Sequence, residues 1–187
     1  FKQKTAYEML RSLVGSEMCI RDRDLVIQSS GVGFVNPKLH WEKQEQTINT
    51  NVLGCTKLYI LAYNLFKEQQ YGHLVGISSI AAIRGNRSAP DYFASKAYQK
   101  AYLESLYIKT KSMKSQQVFI TDIRPGFVDT AMALGSVLFW MVPLEKATKQ
   151  IYSAIKKKKR VAYISKRWQL IAVVLKWMPA RVLKKIL

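Results

Sequence analysis

The chain is predicted to be an α/β domain, a doubly wound parallel sheet with helices on both faces. Short β-branched apolar runs recur at Leu25–Ile27, Leu74–Ile77, Val118–Ile123 and Val161–Ile164, each suited to a strand buried on both sides. About forty residues separate successive runs, the room that a crossover helix and its loops need between parallel strands, and such connections are right-handed. The 187 residues are 49% apolar and 22% charged, with nine Gly and five Pro, which fits one globular domain and excludes a disordered or collagen-like chain. The longest apolar run, Val137–Leu144, is far shorter than the roughly 20 residues of a membrane-spanning helix.

The first long helix is expected over Glu45–Glu68. Leu58, Ile60, Leu61, Tyr63, Leu65 and Phe66 make it apolar over more than one face, so cover on both sides is expected. The second opens at Pro90-Asp91, a proline and an acid suited to a first turn, and continues to about Lys111. Ala94, Ala97, Ala101 and Ser105 give it a small-residue stripe along which a helix or sheet could approach closely.

The N-terminus reads differently from the rest. Phe1–Glu8 and Ser12–Arg23 resemble translated sequencing adaptors, with Met9 to Arg11 in the place of a sample index. Residues 1–23 are therefore read as adaptor-derived, residues 24–187 as the authentic domain, and coding sequence is expected to be missing upstream. Cys55 is then the one credible cysteine, and it suits a reducing, cytoplasmic compartment.

Tyr92 and Lys96, four residues apart, lie one turn from each other on one face of the second helix. Gly76-Ile77-Ser78-Ser79 closes a strand thirteen residues earlier, Asn51 stands early in the preceding helix, and Arg124-Pro125-Gly126 leaves the next strand. In this order Asn51, Ser79, Tyr92 with Lys96, and Pro125 with Gly126 resemble the Asn, Ser, YxxxK and PG pattern of the short-chain dehydrogenase/reductase family. The resemblance covers about Asp24 to Lys166 and implies a Rossmann-like sheet binding NAD or NADP.

A phenol has a pKa near 10 and needs help to act at neutral pH. Lys96, a turn away, is expected to stabilise its anion, so that Tyr92 exchanges a proton with a carbonyl or alcohol oxygen that Ser79 also binds. The resemblance gives Asn51 a water that links Lys96 to solvent; on the residues alone, Asn51 is equally a polar interruption of a helix. It also has Val128 meet a nicotinamide carboxamide through its backbone, and Thr130 contact the carboxamide or the pyrophosphate. Gly31, Pro125 and Gly126 are expected to line the cofactor, Gly126 because a residue without Cβ admits a flat ring. Gln28-Ser29-Ser30-Gly31 stands where the family has an NNAG-like turn, of which only the glycine is kept.

The reading is thus an oxidoreductase interconverting a carbonyl and a secondary alcohol, with a non-catalytic cofactor sensor as alternative. No glycine-rich phosphate loop of the GxGxxG kind opens a helix in this chain, so the first three βα units are expected to be absent, and with them the determinant of NAD against NADP. The strand at Asp24 would then show a bare apolar edge, and the 187-residue chain is expected to aggregate and be inactive. The resemblance further implies a homodimer or tetramer joined through the two long helices.

Formal charge is +18, and residues 144–187 carry thirteen Lys/Arg against one acid. Without a recognition module this basicity is not read as nucleic-acid binding. The basic, aromatic helices of residues 166–187 fit a peripheral contact with an anionic membrane or packing of Trp168 and Leu175 on the domain or a second subunit. Ala131–Pro143 is expected to cap the crevice as an apolar lid, for a lipophilic substrate or for its own packing. His40 and His73 lack metal-ligand spacing, and no metal site is expected.

Overall fold

In the computed structural model the described residues are 23–113, 117–129, 140–179 and 181–183. Four parallel strands, β1 (Leu25–Gln28), β2 (Tyr71–Ile77), β3 (Gln117–Pro125) and β4 (Val161–Ile164), lie side by side in chain order. Register is continuous: Val26 stands beside Leu74, Leu74 beside Ile120, and Ile123 beside Ala162. Each predicted apolar run is a strand.

Helices α1 (Trp41–Ile48) and α2 (Cys55–Gln69) are joined by a wider π-helical turn, Asn49–Gly54. The first helix thus begins earlier than its apolar pattern implied. A 3₁₀ turn, Ile80–Ile83, leaves β2, and α3 (Pro90–Lys111) starts at the expected proline. Then come α4 (Leu144–Lys156) and α5 (Lys166–Trp177).

Two cores flank the sheet. On one face Tyr59, Phe66, Leu74, Leu103 and Ile120 pack together under α2 and α3. On the other, Val75, Ile123, Ala147, Ile164 and Trp168 pack under α4 and α5. That second layer stops short of β1, whose Leu25 and Ile27 are 44% and 46% exposed.

Two expectations fail within this chain. Tyr59, Ala62, Tyr63 and Phe66 of α2 are buried while Ile60 and Leu61 are exposed, so α2 is covered on one side: the sheet and α3 take that face and nothing described takes the other. Along α3 the small stripe Ala94, Ala97, Ala101 and Ser105 faces outward. Ser95, Lys96, Gln99, Leu103 and Leu106 are buried instead, because the face that carries Lys96 is the one turned to the sheet.

Candidate active site

Loops at the carboxyl ends of β1, β2 and β3 open beside the start of α3, where parallel sheets place their ligand sites. Ser78 and Ser79 diverge there. Ser78 Oγ donates to Asp122 Oδ1 at 2.5 Å, and Asp122 is ion-paired with Arg124 at 2.6 Å, so Ser78 is committed to the sheet. Ser79 caps the 3₁₀ turn, its Oγ accepting from the Ala81 N–H at 3.1 Å, and its hydroxyl lies beside the Tyr92 phenol.

The Tyr92 ring packs on Gly33, where a Cβ would lie 2.6 Å from its Cδ2; only a residue without one permits this approach. Burial pushes the phenol above its usual pKa of 10, and the Ser79 hydroxyl pulls it partly back. This differs from the expectation that Lys96 would acidify it. The Lys96 ammonium is 5.9 Å from the ring centroid and donates to the Ile77 carbonyl at 3.1 Å and to Gln99 Oε1 at 3.0 Å. Burial lowers its pKa from 10.5 to about 8.

Asn51 sits in the π-helical turn, a device frequent at functional sites, and is fully buried. Its Oδ1 accepts from the Val32 N–H at 2.9 Å, while Nδ2 donates to the Val32 carbonyl at 2.7 Å and to Ser95 Oγ at 3.0 Å. The side chain therefore clamps the turn after β1. Its backbone carbonyl accepts from Gln99 Nε2 at 2.8 Å. Gln99 thus spans Asn51 and Lys96. Sequence reasoning missed Gln99; a glutamine three residues past Lys96, hence on its face of the helix, was the available signal.

Gly31 lies against Lys96 Nζ and Asn51 Oδ1, which a Cβ would meet at 3.3 and 3.4 Å. Gln28 is fully buried, donating to the Ser30 carbonyl at 2.6 Å and accepting from Tyr59 at 3.2 Å. Its side chain thereby serves the turn that departs from the family pattern. Pro125 ends β3, and the next residue does admit a flat ring, but that ring is the indole of Trp168: a Cβ on Gly126 would meet it at 2.2 Å. Trp168 is also edge-on to Phe127, at 5.3 Å between centroids. Val128 is bridged to Val142. Thr130 lies outside the described residues, as does most of the expected lid. The described end of that loop, Trp140–Pro143, lines a cavity of about 730 Å³ along β4, between α4 and α5.

A phenol paired with a hydroxyl, beside a buried ammonium at the carboxyl edge of a parallel sheet, defines a Rossmann-like α/β protein with a Ser-Tyr-Lys crevice. The chain belongs to the short chain dehydrogenase family, whose model matches residues 14–137. It is 36% identical over 111 residues to an uncharacterized oxidoreductase of Myxococcus xanthus, covering 58% of this chain and 43% of that protein. To human epidermal retinol dehydrogenase 2 it is 26% identical over 152 residues, covering 76% and 49%. The chain thus spans under half the length of these curated relatives. A short chain dehydrogenase of Burkholderia cenocepacia, solved in complex with NADP, superposes with a TM-score of 0.76 at 20% identity, covering 92% of this chain and 72% of that one.

Proposed function

We propose that the chain carries the catalytic part of an NAD(P)-dependent oxidoreductase that interconverts a carbonyl and a secondary alcohol. The observation that carries this reading is the pairing of Tyr92 with Ser79 beside the buried Lys96 ammonium. When bound, the nicotinamide would supply or accept hydride. The residues fit such a group: an ammonium has three N–H donors, and two of those on Lys96 go to Ile77 and Gln99, leaving one for a ligand hydroxyl. Gly31, beside that ammonium, and the backbone around Pro125, Gly126 and Val128 would hold it, with Thr130 as a further contact.

Tyr92, protonated because burial disfavours its anion, donates a proton to the carbonyl oxygen during reduction and takes one back during oxidation. Ser79 donates to the same oxygen and stabilises charge growing there. Lys96 supplies positive charge near the phenolate once it forms. Asn51 and Gln99 hold Lys96 and the turn after β1 in place. The human relative's name speaks of a retinol, which supports a lipophilic substrate, and the exposed Ile60, Leu61 and Ile108 support pairing of subunits through α2 and α3.

The test is turnover by the full-length protein that contains this chain, with NADH and NADPH against a panel of ketones and aldehydes. Tyr92→Phe is expected to lower kcat by about 10²–10⁴-fold while cofactor binding, followed by fluorescence, is retained. Turnover that survives Tyr92→Phe unchanged rejects the proposal.

A further inference from the structure

Helix α5 has two apolar faces, and the domain uses one. Trp168 and Ala172 are 5% and 4% exposed, with Ile171 packed beside them in the second core. On the other side Leu170, Val173, Val174 and Trp177 are 71%, 56%, 57% and 78% exposed. Their spacing of three, one and three residues puts them within about 100° of arc, a continuous stripe along about two turns. Burial of the opposite face fixes this stripe outward.

Its surroundings are cationic. Lys166 stands at its first turn, Arg167 on one flank and Lys176 on the other, all exposed. The Arg167 guanidinium is 5.7 Å from the Trp140 ring centroid, so the exposed Trp140, Met141 and Leu144 continue the apolar surface beyond the start of α5. Between these parts lies the 730 Å³ cavity, to which Lys146, Lys159, Lys166 and Arg167 contribute. Among the described residues none of these four is ion-paired with a carboxylate.

We infer that this face rests on an anionic phospholipid bilayer, with Leu170, Val173, Val174 and Trp177 in the acyl boundary and the surrounding cations among the headgroups. Charge selects this occupant. A second copy of the chain would set the same cations against each other, which costs affinity, whereas an anionic surface neutralises them. Apolar residues along one face, tryptophan at the boundary and lysine or arginine at the flanks are the pattern of a helix lying in the membrane interface. At 12 residues α5 is too short to cross a membrane, so this helix would lie along the surface. The contact rests on α5 and β4, and so stands or falls apart from the chemistry at Tyr92.

The test is flotation of the full chain with phosphatidylcholine vesicles, with or without 30% phosphatidylglycerol. Flotation separates lipid-bound chain from any aggregate, which stays at the bottom. Binding to the anionic vesicles alone, falling as salt is raised, is expected. Lys166→Gln and Lys176→Gln should each weaken it by about fivefold. Val173→Glu should abolish it while leaving the circular dichroism and unfolding midpoint unchanged, since that side chain is exposed. Equal binding to neutral vesicles, full binding by Val173→Glu, or no flotation of the folded wild type overturns the inference. So does a concentration-dependent dimer in analytical ultracentrifugation that Val173→Glu disrupts.

Discussion

Lys96 is 5% exposed, and its ammonium leaves an imprint on stability that is measurable without cofactor or substrate. Burial lowers its pKa from 10.5 to about 8. Above pH 8 the folded chain releases a proton that the unfolded chain keeps until about 10.5, so the unfolded state binds more protons and stability rises with pH. The slope approaches about 1.4 kcal/mol per pH unit, and the whole window is worth on the order of 3 kcal/mol. Cys55 acts in the opposite sense from pH 9, because burial raises its thiol from 9.0 to about 11, and in that interval the unfolded chain has lost the proton the folded one holds. From pH 8 to 9 the Lys96 effect therefore outweighs that of Cys55. Urea unfolding at closely spaced pH values should show stability climbing across this interval in the wild type, and no rise, only the slight fall that Cys55 brings, in Lys96→Met. Losing the hydrogen bonds to Ile77 and Gln99 shifts the variant's stability as a whole, so the slope is the diagnostic. Equal slopes in the two proteins would mean that this ammonium is hydrated, and the derived crevice would be wrong.

Gln99→Leu removes the amide between Lys96 and Asn51 and should cost about 2–5 kcal/mol, from one hydrogen bond to a charged group and one orphaned carbonyl. It should also move the Lys96 stability rise to lower pH, since the ammonium loses an acceptor; a rise at the wild-type pH counts against the bridge. Gly126→Ala drives a methyl into the Trp168 indole and should destabilise by about 1–3 kcal/mol in urea. Pairing it with Trp168→Leu should give less than the sum of the two single losses, and strict additivity would place the indole elsewhere. Burial on β2 holds His73 at about 4, below its ordinary 6.5, so the unfolded state binds more protons between these values and stability rises with pH there. His73→Gln should flatten that acid limb, and an unchanged limb would assign it to other groups.

Local sequence reported the backbone well. All four β-branched runs became strands because a central parallel strand needs apolar side chains on both faces, a demand that composition displays. Pro90 and Asp91 marked the start of α3 because a proline lacking its N–H and an acid near the helix dipole favour that end. Tyr92 and Lys96 fell on one face because helical geometry puts them there. The turn order that ranked Ser79, Asn51 and Pro125 beside them followed from strands that all end on one side.

What only the tertiary structure decided were choices among equivalent local options. Ser78 and Ser79 are adjacent hydroxyls, and which of them enters the crevice depends on Asp122, 44 residues from Ser78. Gln99 reaches Asn51 across 48 residues, a pairing that no local pattern encodes. The ring admitted by Gly126 proved to be that of Trp168, brought in by β4 and α5, and the outward face of α3 was the small one. Periodicity states how a segment would like to be covered; it carries no record of which partner arrives, because packing is settled by shape and charge among residues distant along the chain.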